Sequence, residues 1–137
     1  MLLGRRHLAR LALAGAALPA PLPARAAVSG TLVLYTSQLE PDAARTVDAF
    51  KALHPGVQVE WIRGGTGTIM TRLRAEIAAG TPRPDVLLLA DSLTFEGLKA
   101  EGRLRSSPEV KTAGVPEDHI AADRSYFGTK LITTGIM

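Results

Sequence analysis

The sequence has no cysteine at all. That excludes disulfide bridges, thiolate nucleophiles and cysteine-based metal sites, so stability has to come from an ordinary apolar core. Aromatic side chains are scarce too, with one Trp, two Tyr and three Phe in 137 residues. No basic run and no basic patch interleaved with aromatics occurs beyond the first thirty residues, which removes the usual footprint of a nucleic-acid or anionic-membrane partner. The apolar segment Leu11–Leu18 is too short to span a bilayer.

The net charge of +3 is concentrated at the start of the chain. Arg5, Arg6 and Arg10 precede an Ala/Leu run, Pro19, Pro21 and Pro23 break it, and Ala24-Arg25-Ala26 places small residues where a signal peptidase cuts. Residues 1–26 therefore read as an export signal, and Arg5-Arg6-His7-Leu8 resembles the twin-arginine form of one. An amphipathic helix of the folded domain is the competing reading, but the prolines would end it and the run has no polar stripe. Four of the sixteen Lys and Arg lie in this segment and none of the thirteen acids does, so the remainder, twelve bases against thirteen acids, carries −1.

From residue 27 the pattern is that of one small α/β domain. Thr31–Tyr35 is a β-rich apolar run. From Pro41, Ala43, Ala44, Val47, Phe50 and Leu53 recur at helical spacing until His54-Pro55-Gly56 stops the helix. Val57–Ile62 alternates as a half-buried strand does, and Gly64-Gly65-Thr66-Gly67 turns into a helix carrying Ile69, Leu73 and Ile77, closed by Gly80 and Pro82. Val86–Ala90 is continuous and apolar, as in a central strand covered on both faces, and Ser92 is placed to cap a third helix with Phe95 and Leu98 that ends at Gly102. Strands alternating with helices predict a mostly parallel sheet with helices on both faces; if the strand order is 2-1-3, it reverses between the first and third strands. Tyr126–Thr133 regains strand character, and the stop at Met137, without a turn or polar tail, reads as a truncated chain.

In such sheets ligands sit beyond the carboxyl ends of the strands, where strand order reverses. Thr36 and Ser37 follow the first strand, Gly65 and Thr66 the second, and Asp91 and Ser92 the third; these six are the candidate ligand-binding residues. The glycine turn would offer backbone N–H groups and a helix dipole to a phosphate, phosphonate or carboxylate. It is not a P-loop, because the lysine and spacing are missing, and it fails the dinucleotide fingerprint, because Met70 stands where the third glycine belongs. Asp91 invites an acid, base or metal role, but a lone Asp after a strand more often caps the next helix. His54 and His119 have no ligating company, so the sequence offers no catalytic constellation, metal site or cofactor site.

The ordered set LVLYTSQ, FKALHPGVQVEW, GGTGTIMTRLRAEIAAG and PDVLLLADSLTFEGLKAEGRL, behind an export signal, resembles the amino-terminal part of periplasmic solute-binding proteins of ATP-binding-cassette importers. Within them it looks most like the group of ferric-ion, phosphonate and sugar-phosphate binders. The resemblance implies a type II periplasmic-binding-protein fold: residues 27–137 as the first lobe, cut near the hinge that YFGTKLITTGIM approaches, and a second lobe missing. It further implies a solute held between the lobes and handed to a membrane permease with its ATPase subunit. Ferric binders of the group hold the metal largely by tyrosines of the second lobe, with a His or acid after the first strand. Here that place reads Gln38-Leu39-Glu40, so a small anion is favoured over a ferric ion. An exported α/β enzyme acting on a phosphorylated substrate, with Asp91 as acid or base, and a sensor lobe coupled to a membrane protein are the alternatives.

Overall fold

A computed structural model describes residues 28–130. The predicted signal at 1–26 and the end of the last predicted strand at 131–133 lie outside the described residues. Three strands and three helices alternate: β1 Gly30–Thr36, α1 Glu40–Leu53, β2 Val57–Arg63, α2 Thr66–Ala78, β3 Val86–Leu88 and α3 Ser92–Ala100. A short 3-10 turn, Glu117–His119, lies in the long connection that follows.

The sheet is parallel, as the alternation predicts, and its strand order is β2-β1-β3. β1 pairs with β2 over its full length, from Gly30 opposite Val57 to Thr36 opposite Arg63, but with β3 only from Leu34 to Thr36. β1 is thus the central strand, and Leu34, Tyr35 and Thr36 at its carboxyl end are all buried. Their side chains alternate between faces. Tyr35, fully buried, faces α2, where its hydroxyl donates to Glu76 Oε1 at 2.6 Å and accepts from Arg72 Nε at 3.1 Å. Burial of its ring contributes on the order of 1.5–3 kcal/mol, and the polar tip is satisfied rather than stranded. Thr36, also fully buried, lies on the opposite face of the strand.

Each helix buries a narrow stripe: Ala43 and Val47 of α1, Ile69 and Leu73 of α2, Leu98 of α3. α2 and α3 end alike. After α2, Gly80 at φ +73° donates to Ile77 O and Thr81 N to Glu76 O; after α3, Gly102 at φ +65° donates to Lys99 O and Arg103 N to Leu98 O. Both are Schellman closures in which glycine supplies the left-handed residue.

Four expectations need correction. β3 covers Val86–Leu88 rather than Val86–Ala90, and it is not covered on both faces: Val86 is exposed, and an apolar groove lined by Ile77, Leu89 and Phe95 runs beside it. The cap of α3 is Asp91, whose Oδ1 accepts from Thr94 N at 2.8 Å; Ser92 is already the first helical residue. Leu53 is exposed at the frayed end of α1, where the backbone closes through His54 N to Phe50 O. Tyr126–Lys130 forms no strand within the described residues, only an isolated antiparallel bridge from Phe127 to Ile120. There the side chains prefer local partners: Tyr126 stacks on Phe95 and bonds Glu96, fixing the segment to α3.

Candidate functional site

The carboxyl ends of the strands are tied together by backbone. Gly64 N donates to Thr36 O at 3.1 Å and Ser37 N to Leu88 O at 3.0 Å, so the residues leaving all three strands share one edge. The six sequence candidates sit there, but in different chemical states.

Thr36 is fully buried, and its hydroxyl is engaged on both sides: it donates to Leu88 O at 3.1 Å and accepts from Gln38 N at 3.1 Å. It shapes the turn after β1. Ser37, one residue on, is half-buried, and its hydroxyl makes no hydrogen bond among the described residues. Gly65 is the N-cap residue of α2, with no side chain capping the helix, and Thr66 is half-buried in the first helical position. A Cβ placed on Gly65 or Gly67 would meet nothing within 4 Å, and neither has a positive φ. Neither packing nor backbone geometry demands glycine there. What the two glycines leave is room above the open N–H groups of the helix start.

Asp91 and Ser92 are exposed at the start of α3. One carboxylate oxygen of Asp91 is committed to capping, and its negative charge sits where an anion would otherwise gain from that helix dipole. The start of α1 carries acids as well, Glu40 and Asp42 in its first turn. Of the three helix starts at this edge, that of α2 alone bears no carboxylate.

Arg63, the last residue of β2, was not among the sequence candidates. Its Nε donates to Gln38 O at 3.0 Å, and its side chain is exposed beside the glycine turn. The signal for it was present: a cation ending a strand directly before a glycine turn. Beneath the edge, Tyr35, Arg72 and Glu76 anchor α2 to β1. The Tyr35 hydroxyl and Arg72 hold the Glu76 carboxyl below its ordinary range, while burial and then Glu76 push the Tyr35 phenol up. The same edge holds a second feature, a cavity of about 430 Å³ between α1, Leu88 at the end of β3 and the segment at 129–130, where Lys130 Nζ meets Asp42 Oδ2 at 2.6 Å. That contact lowers the Asp42 carboxyl. Among the described residues no group of three or more His, Asp or Glu stands together as a metal site, and no helix among them is long and apolar enough to cross a membrane.

The described residues form an α/β lobe whose strand ends share one open edge. Residues 29–132 match the family of bacterial extracellular solute-binding proteins. The chain belongs to that family, and the match spans most of its length. Among solved structures it is similar to iron-bound HitA from Pseudomonas aeruginosa, with 30% identity and a TM-score of 0.58 over 68% of this chain and 29% of HitA. That neighbour has the periplasmic-binding-protein-like fold expected from the sequence, and this chain spans less than a third of its length. Among curated proteins, none matches this sequence.

Proposed function

We propose that this chain is the first lobe of a two-lobed periplasmic receptor of an ATP-binding-cassette importer, exported by residues 1–26, that captures a small anion and delivers it to a membrane permease and its ATPase. A phosphonate or organic phosphate is the favoured solute. The observation that carries the reading is the start of α2: an uncapped helix end free of carboxylates, roofed by two glycines that packing does not require, beside Arg63 and the free Ser37 hydroxyl. An oxyanion there would take backbone N–H groups, the Thr66 and Ser37 hydroxyls and one guanidinium. Charge-assisted hydrogen bonds of this kind are each worth about 1.5–3 kcal/mol. Thr36 acts in this scheme by holding the turn, and Asp91 by closing α3 away from the anion.

Such a receptor requires no bond-making chemistry. Its selectivity comes from a closed state stabilised by contacts from both lobes at once. The test is calorimetric titration of the protein, expressed from its full gene, with phosphate, methylphosphonate and glycerol 3-phosphate. Saturable binding that weakens in Ser37→Ala and Thr66→Ala, with the organic phosphate returned unhydrolysed, is the expected outcome. Unchanged affinity in both variants would sink the site, and turnover of the ester would replace the receptor with an exported enzyme.

Ferric iron is the second reading, favoured by the 30% identity to iron-bound HitA. On this chain Glu40 and Asp91 are hard oxygen donors at the edge, Asp42 beside them being paired with Lys130, and further ligands would have to come from beyond the described residues. Ferric citrate belongs in the same titration. Iron binding lost in Asp91→Asn would move the solute from α2 to α3.

A further inference from the structure

From the end of α3 to Lys130 the backbone bonds to itself. Arg103 N, which closes α3 on Leu98 O, is the last backbone group tied to the lobe. Beyond it, and among the described residues, every backbone-to-backbone hydrogen bond of residues 104–130 stays within that stretch. The two that reach furthest along the chain run from Ser107 N to Arg124 O at 2.9 Å and from Gly128 N to His119 O at 2.7 Å. Side chains fasten the stretch to the lobe. Tyr126 stacks on Phe95 with ring centroids 5.4 Å apart, and its hydroxyl donates to Glu96; Lys99 stands 4.0 Å from Asp123; Lys130 pairs with Asp42. Between these ties a groove of about 740 Å³ opens, lined by Val86, Leu88 and Phe95 of the lobe and by Arg105, Ser125 and Phe127 of the stretch.

Inside the stretch, Arg124 combines two unfavourable features. Its φ of 56° is positive, the only such value for a non-glycine residue among the described residues, in a turn that glycine would adopt freely. Its Nε is shielded from solvent and has no hydrogen-bond partner. What offsets both is reach. Arg124 N donates to Ala121 O at 2.7 Å, its carbonyl accepts from Ser107 N, its Nη2 donates to Val110 O at 2.7 Å, and its guanidinium lies 5.5 Å from the Phe127 ring centroid. One residue thereby joins the loop at 106–110 to the hairpin built around the Ile120–Phe127 bridge.

We propose that residues 104–128 form a strap that lifts from the lobe as one unit while the sheet stays paired. Tyr126, seated on Phe95 and Glu96, is the clip that holds the strap down, and Arg124 is the clasp that keeps it folded when it lifts. A segment whose backbone bonds are internal and whose ties to its neighbours are a few exposed side chains is the kind that opens well below the free energy of global unfolding. Lifting uncovers the groove and the unpaired side of β3. It also lets the chain at 129–130, which reaches the binding edge through Lys130 and Asp42, move without unpairing a strand. The strap does not depend on which solute that edge binds.

The experiment is native-state hydrogen exchange, read peptide by peptide by mass spectrometry, on the protein expressed from its full gene. Peptides covering 104–128 should exchange together, at a rate at least about tenfold above those covering β1. Tyr126→Phe keeps the stacked ring and removes the bond to Glu96; it should speed exchange about 5-fold across the whole stretch, the modest effect expected of an exposed bond to a carboxylate, and leave β1 unchanged. Arg124→Gly relieves the backbone but opens the clasp, so peptides covering 104–115 should speed up while those covering 119–128 do not. Exchange of 104–128 at the rate of β1 would overturn the strap, as would a Tyr126→Phe effect that is absent or equally large in β1. A uniform response of the stretch to Arg124→Gly would overturn the clasp.

Discussion

The helices α2 and α3 begin at the same edge of the same sheet and end in the same glycine closure, yet their first turns are built for opposite purposes. α3 starts with Asp91, which spends a carboxylate oxygen on Thr94 N and fills the positive end of the helix with its own charge. α2 starts with Gly65, which caps nothing, and no acid stands in its first turn. Glycine at an N-cap gives up only about a few tenths of a kcal/mol to Asp or Ser, and α2 does so at a position where a Cβ would meet open space. Stability alone would favour Asp or Ser at residue 65. That open start is where the solute is proposed to bind.

The strongest way to break that contrast is to make α2 resemble α3. Gly65→Asp fits without a clash, and the extended φ of −60° and ψ of 153° suit a capping residue. The carboxylate would occupy the N–H groups proposed for the solute and repel it. Anion affinity should fall by about 100-fold or more, while the melting temperature holds or rises slightly, since Asp in place of Gly at an N-cap gains only about a few tenths of a kcal/mol. Loss of binding together with loss of stability would point to damage instead of competition. A rise in stability with affinity unchanged would remove α2 from the site.

Removing single hydroxyls sharpens the comparison with a smaller effect. Ser37→Ala and Thr66→Ala should each weaken the anion about 10-fold, the lower range for a hydrogen bond to a charged group, with little change in the melting midpoint. Titration calorimetry and thermal denaturation on the same samples read both. On the α3 side the pattern should invert. Asp91→Ala should cost about 1 kcal/mol of stability as the cap is lost, whereas Asp91→Asn should retain most of it, and neither should weaken anion binding. If Asp91→Asn lowers affinity for ferric ion, the two helix starts exchange roles.

Much of this was legible in the residues themselves. Apolar spacing and breakers located all three helices, and Gly80 and Gly102 marked two of their ends because only a left-handed residue closes a helix that way. The parallel sheet followed from strand and helix alternation, whereas its 2-1-3 order, assumed in placing the crevice, is a finding of the structure. What escaped was decided by tertiary neighbours. Val86–Ala90 reads as a central strand because its side chains are apolar, but β1 offers it only three partners and its other side opens on the groove, so pairing stops at Leu88. Thr36 and Ser37 look equivalent as letters. Only the folded structure shows that one hydroxyl is engaged by Leu88 O and the Gln38 backbone N while the next makes no hydrogen bond among the described residues. Arg63 was missed because its relevance lies in reaching Gln38, twenty-five positions earlier.

The smallest effect tests what holds the open helix start in place. Tyr35 Oη bonds Glu76, which also accepts from Arg72 Nε at 2.9 Å and from the backbone N of Arg83 at 3.2 Å. Tyr35→Phe keeps the buried ring and removes one hydrogen bond from a carboxylate that retains two others, so the expected loss is about 1 kcal/mol. The pH dependence has a definite sign. The folded protein holds the Glu76 carboxyl below its ordinary range, chiefly through the Tyr35 hydroxyl. Its contribution is therefore present above the unfolded carboxylate range and lost as pH falls through the depressed folded value. Stability of the native protein should decline as the solution is acidified below that range, and the decline should be shallower in Tyr35→Phe, because the carboxyl then lies closer to its unfolded value. Equal acid slopes in denaturant titrations of the two proteins would show that the Tyr35 hydroxyl does not set the Glu76 titration. The α2 start would then be positioned by the packing of Ile69 and Leu73 against the sheet instead.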